Sequence, residues 1–148
     1  CTKTMVYRLT PQEECMLRYY QPELHYLQQA NIIIGKFRLH AKFRDKETIT
    51  DNFDVLINLD SGKELLPKVI EVKGKIKRMA LLHKSDLADF HQYNDGTLCL
   101  ARPDKIKEWY KDGFSFEKFM RHLETHFYWV CYKDRYDREP WQAEKHGW

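Results

Sequence analysis

Between Gly35 and Ser61 apolar and polar residues change places at almost every step. Phe37, Leu39, Ala41 and Phe43 alternate with Lys36, Arg38, His40 and Lys42. After a polar turn over 44–51, Phe53, Val55, Ile57 and Leu59 alternate again, and Ser61-Gly62 closes the run. A period of two is the mark of a strand with one covered face and one wet face. Consecutive strands joined by a short turn pair as an antiparallel meander. A third short strand is expected over Pro67 to Val72. Helices must then cover the apolar face, which makes the chain α+β.

The flanking helices are read from their caps. Thr10-Pro11-Gln12-Glu13 carries a capping threonine, a proline suited to the first helical position and the glutamate of a capping box. Met16, Leu17 and Tyr20 then share a face, with Cys15 expected to pack. Pro22 ends this helix and is expected to open a second short one, carrying Leu24 and Leu27 to about Ala30. Ser115 caps the clearest helix, in which Phe116, Phe119, Met120, Leu123, Phe127, Val130 and Cys131 recur at spacings of three and four. Cys131 is read as core, and Phe127, Tyr128, Trp129 and Tyr132 as core plus surface, with a partner anchor as the other option. Asp104 is expected to cap a short helix over Lys105 to Trp109. The stretch from Lys73 to Gly96 shows no regular pattern and is read as a long loop.

At 148 residues the chain reads as a single domain spanning 1–148, with a core over about 10–140. No run of apolar residues is long enough to cross a membrane, and no signal peptide is read at the start. The four cysteines form no CxxC pair and no zinc spacing. A reducing cytoplasm without disulfides is the expectation. Net charge is only +3, short of a nucleic-acid footprint. The densest basic run is Lys73 to Arg78, a solvated strand end or loop, or else a docking surface for an acidic partner. His122 and His126 stand four residues apart on the long helix, but no third metal ligand is evident and a solvated face is expected.

The chemistry concentrates in His91-Gln92-Tyr93-Asn94-Asp95-Gly96-Thr97-Leu98-Cys99-Leu100. Asn94-Asp95-Gly96 is turn chemistry, and Cys99 follows it between two leucines. A thiol held this way at a surface is a candidate nucleophile. His91 is a candidate oxyanion donor, general base or organiser of the loop, and His83 is a weaker candidate for the same work. Asn94 is a candidate site residue that reads first as part of the turn.

The order helix, meander, loop, cysteine, helix resembles the ubiquitin-conjugating enzymes. Gly96-Thr97-Leu98-Cys99-Leu100 is similar to that family's Gly-x-apolar-Cys-Leu core, and Leu66-Pro67-Lys68-Val69 resembles the entry to its third strand. The family's His-Pro-Asn triplet is missing, and His91 stands at the asparagine position. Leu66 to Glu71, Gly74 to Arg78, His91 and the tail Trp141-x-x-Glu144-x-His146-Gly147 are similar to a bacterial branch found in anti-phage operons of the cyclic-oligonucleotide (CBASS) type. The resemblance implies a ubiquitin-conjugating-enzyme-like fold, an antiparallel β-meander with N-terminal and C-terminal helices. It implies that Cys99 accepts a protein's C-terminal carboxyl as a thioester and passes it to an amine. The carried protein would be the CD-NTase, a cGAS-like nucleotidyltransferase held by its C-terminal tail. An activating enzyme using ATP is the usual source of energy in the family, and no cofactor, nucleic acid or membrane is implied. Asp134 or Asp137 falls where the family places an acid that orients the incoming lysine, and His146 is a further residue that can fold back on the site. Two alternatives stand beside it, a non-catalytic scaffold on the same fold and a thiol hydrolase.

Overall fold

The computed structural model describes residues 5–62, 66–100 and 103–141. A two-residue strand β1 (Met5–Val6) leads to α1 (Pro11–Tyr20). The capping box forms as expected: Thr10 Oγ1 accepts from Glu13 N–H at 3.2 Å, and Glu13 Oε1 accepts from Thr10 N–H at 2.8 Å. The helix stops at Gln21 because Pro22 forbids a helical predecessor. Of its apolar face only Leu17 is buried; Met16 and Tyr20 are exposed. Cys15 is exposed too, so the expected packing role is not found.

The second helix does not form. Its place is taken by strand β2 (Leu24–Leu27), antiparallel to β3 (Ile32–Ala41). Leu24 is buried but Leu27 is exposed, whereas a helix would have put both on one face. The deciding contact is at Gly35, φ +136°, where a Cβ would lie 2.1 Å from the Glu23 carbonyl oxygen. Only glycine permits that approach, which seats β2 against β3. β3 begins five residues before Phe37 because it pairs over its full length with β4 (Ile49–Asn58), Ile33 opposite Ile57 and Phe37 opposite Phe53. A short β5 (Asp60–Gly62) pairs back on β1, and β6 (Lys68–Glu71) completes a four-stranded antiparallel sheet of order β2-β3-β4-β6.

The expected loop from Lys73 to Gly96 contains helix α2 (Lys75–Leu82) and a 3₁₀ turn over Leu87–Phe90. Its start is hidden from local rules because Gly74 has no capping side chain. The cap comes from Glu71, a buried carboxylate that accepts N–H bonds from Lys73 (3.1 Å), Lys75 (3.0 Å) and Ile76 (3.0 Å). Asp104 lies inside α3 (Pro103–Trp109), in its first turn, so it is not the cap. Ser115 caps α4 (Phe116–Tyr136) as expected, its hydroxyl accepting from Lys118 N–H at 3.2 Å.

Helix α4 lies across the inner face of the sheet. The Phe127 ring stacks on Phe53 at 4.1 Å and meets Phe37 at 5.2 Å. From His126 to Tyr132 every residue is buried, so α4 has no wet face there. His126 is fully buried and His122 half-buried, which overturns the expected solvated pair. His126 stands three residues after Leu123 and four before Val130, so helical spacing itself puts it at the edge of the apolar stripe.

Asp51 joins β4, α2 and α4. Its carboxylate pairs with Lys75, with Arg135 at 3.2 Å, with Asn52 N–H at 2.8 Å and with the Cys131 thiol at 3.5 Å. Burial works to raise its pKa, but the hydrogen bonds and charge of Lys75, with Asn52 N–H, outweigh burial and hold it below the usual carboxylate value. Burial pushes the Cys131 thiol well up, which leaves it inert.

Two outcomes are expected. Phe127→Ala should cost about 3–5 kcal/mol in urea unfolding, since it empties the centre of the core; a loss under about 1 kcal/mol would place the core elsewhere. The Asp51 contribution is complete above the unfolded carboxyl pKa and is lost as pH falls through the lower folded value. Asp51→Asn should therefore cost about 1–3 kcal/mol near neutrality and flatten the acid limb of the stability profile. An acid limb as steep as wild type would contradict this assignment.

Candidate active site

The turn Asn94-Asp95-Gly96 closes a small hairpin. Tyr93 N–H donates to Thr97 O at 2.8 Å, Gly96 N–H to Tyr93 O at 3.0 Å, and Gln92 pairs with Leu98. Asp95 accepts from Thr97 N–H at 2.9 Å, and that bond holds its carboxyl below the usual value. The returning arm is also attached to the sheet edge. Ile70 pairs with Thr97, Leu98 N–H donates to Val69 O at 2.8 Å, and Glu71 N–H donates to Gly96 O at 3.0 Å. Gly96 has φ +92°, and a Cβ there would lie 3.0 Å from Glu71 O and 3.1 Å from Ile70 Cγ2. The chain can lie this close to β6 only with glycine at that position.

Cys99 stands at the end of this arm. Leu98 and Leu100 are buried on either side, while Cys99 itself is half-buried. Its N–H donates to His91 O at 2.9 Å, and its thiol donates to the Tyr93 hydroxyl at 3.7 Å. Tyr93 is 58% exposed.

His91 closes the 3₁₀ turn in the left-handed region, φ 54° and ψ 50°. Its side chain is 8% exposed, with the ring on Trp129 at 4.8 Å and 6.4 Å from the His126 ring. Burial, with the charges of His91 and His122 nearby, holds His126 well below the usual imidazole value, so it is neutral. Asn94 is exposed at the tip of the hairpin. His122 Nε2 donates to Leu100 O at 3.0 Å, and its ring meets Trp109 at 4.9 Å. Burial pushes the His122 pKa down, only partly offset by that bond to Leu100, so the neutral ring tethers the residue after Cys99.

Asp134 and Asp137 bracket His83. Asp134 Oδ1 lies 3.1 Å from Nε2, and Asp137 Oδ1 lies 3.3 Å from Nδ1. This fastens the end of α2 to the end of α4 and accounts for all three side chains. Arg102, Glu144 and His146 lie outside the described residues. Among the described residues no group of three His, Cys, Asp or Glu side chains is placed to hold a metal ion. A groove of about 290 Å³ between α1 and α4 is lined by Met16, Leu17, Tyr20 and Met120 among others, and by no residue of the hairpin.

Three contributors were not singled out from sequence. Tyr93 is the diagonal neighbour of Cys99, since Tyr93 faces Thr97 across the hairpin; reading the turn register would have found it. His122 acts on the Leu100 carbonyl 22 residues away, and Glu71 caps N–H groups two to five residues on from the end of a strand, where no standard cap pattern marks it. Comparison of the chain with protein-family models, curated proteins and solved structures gives no match. No helix among the described residues is long and apolar enough to cross a membrane.

Glu71→Ala leaves three N–H groups without their carboxylate and should lower stability by about 1–3 kcal/mol. Amide exchange at Lys75 and Ile76 should quicken, and that of Gly96 and Leu98 with them. Faster exchange in α2 alone would separate the helix from the hairpin.

Proposed function

We propose that the chain is a cysteine-dependent acyl carrier with a ubiquitin-conjugating-enzyme-like fold. The observation that carries this reading is the setting of Cys99, a half-exposed thiol held between two buried leucines on an arm bonded to the sheet edge. The element order is compatible with it: a helix, a four-stranded antiparallel sheet, then helix α2 and a 3₁₀ turn in place of the expected extended loop, the cysteine arm, the short α3 and the long α4.

In this reading the Cys99 sulfur attacks the activated carbonyl at a protein's C-terminus. A sulfur–carbon bond forms, the carbonyl π pair moves to oxygen, and the leaving group departs as the carbonyl re-forms. An acceptor amine then attacks the thioester and releases the thiolate. Free cysteine has a pKa of about 8.5, so the thiolate gains from a hydrogen-bond donor. The Tyr93 hydroxyl, 3.7 Å from the sulfur, serves as that donor and follows the negative charge to the oxyanion. His91 acts through its carbonyl, which fixes the Cys99 main chain, and Asn94 acts through the turn. The carried protein is the CD-NTase of a cytoplasmic CBASS operon, engaged by its C-terminal tail, with the source of activation left open.

Trapping on non-reducing gels with the neighbouring nucleotidyltransferase, ATP and an activating enzyme tests this. Wild type should give a thiol-labile adduct, Cys99→Ser an alkali-labile one, and Cys99→Ala none. Tyr93→Phe should slow adduct formation by about 10- to 100-fold, within or below the loss for a single oxyanion donor. Equal co-purification of the partner with all variants and no adduct would make the chain a scaffold.

A further inference from the structure

Helix α2 has a face that the transfer reading leaves unused. Its inner side, Ile76, Met79 and Ala80, is buried in the core. At 3.6 residues per turn, Lys77, Arg78, Leu81 and Leu82 share the opposite arc. All four are exposed, Leu81 by 67% and Leu82 by 81%. Lys77 stands one turn before Leu81, and Arg78 one turn before Leu82. The face is therefore two parallel columns, each a cation followed by a leucine. Arg78 is held in place, its guanidinium donating to Lys73 O at 2.8 Å. Lys73 and Val72, both exposed, continue the surface beyond the first turn of the helix.

Single exposed leucines are ordinary; an adjacent pair on a cationic helix face is a candidate contact. We propose that this face of α2 docks an acidic protein segment that offers two neighbouring apolar side chains. Carboxylates of the partner meet Lys77 and Arg78, and its apolar groups cover Leu81 and Leu82. The residues beyond the leucines favour a protein segment over a lipid surface. Beyond the leucines Asp86 and Asp89 are exposed along with Lys84, so the cationic surface does not extend into the polybasic patch an anionic bilayer needs, whereas a discrete segment need not extend over them. The helix is also short, and with its inner side in the core it offers a bilayer only two leucines. The face is pre-organised, because Glu71 fixes the start of α2 and His83, between Asp134 and Asp137, fixes its end. Little ordering is then left for the partner to induce. This surface is independent of any chemistry at Cys99.

Selection of displayed random peptides on the immobilised full chain tests the proposal. Enriched peptides should combine acidic residues with paired apolar ones. Measured by fluorescence anisotropy, their affinity should fall at least about 10-fold on Leu81→Ser/Leu82→Ser and on Lys77→Glu/Arg78→Glu, and should weaken with salt. These residues are exposed, so both variants should melt with wild type, which a thermal scan verifies. Basic or neutral enriched peptides, equal binding to the variants, or no enrichment would overturn the proposal. So would binding to phosphatidylserine vesicles that is lost in Leu81→Ser/Leu82→Ser, which would assign the face to a membrane.

Discussion

Glu71 is the residue through which the sheet, helix α2 and the cysteine hairpin are held together. Its side chain accepts from two N–H groups of the helix, Lys75 and Ile76, and from Lys73 before it, and its own N–H donates to the Gly96 carbonyl. A buried carboxylate is costly unless its oxygens are fully engaged. Here they are engaged by the start of a helix, where the macrodipole also favours negative charge. The carboxylate at the end of β6 caps the start of α2, while the hairpin is seated by main-chain bonds of Glu71 and Val69 to Gly96 and Leu98.

The hairpin rests on a layer of rings. His91 lies on Trp129 near His126, and His122 grips Leu100 from α4. His91 and His126 are buried and His122 is half-buried, each in contact with neighbouring rings or a main-chain oxygen. The left-handed backbone at His91 carries a strain of about 1–2 kcal/mol for a residue with a Cβ. The ring packing and the bond from Cys99 hold it there. In the proposed transfer reaction this arrangement supplies a rigid thiol with a tyrosine hydroxyl beside it, open to a macromolecular substrate.

Elements whose pattern is written locally were legible in the sequence: the alternation of β3 and β4, the capping box of α1, the Ser115 cap and the spacing of α4. Elements decided by contacts that no local cap or period announces were not. Leu24 and Leu27 have helical spacing, yet the Gly35 approach to Glu23 makes them a strand. The start of α2 depends on a side chain three residues before Gly74. His126 reads as solvated, with His122 four residues before it and Glu124 between them, but α4 is enclosed on every side there. At the site, Cys99 and its turn were legible from Asn-Asp-Gly and the flanking leucines. Tyr93 was not, because its closeness to the sulfur follows from cross-strand register rather than from residue type.

The most direct measurement is to find which cysteine carries an acyl group. The folded chain would be incubated with a labelled peptide thioester, digested without reductant and read by peptide mass spectrometry. The account predicts that Cys99 is labelled faster than the exposed Cys15, with Cys131 protected by burial. Label on Cys15 as fast as on Cys99, or none on Cys99 while the protein remains folded, would contradict it.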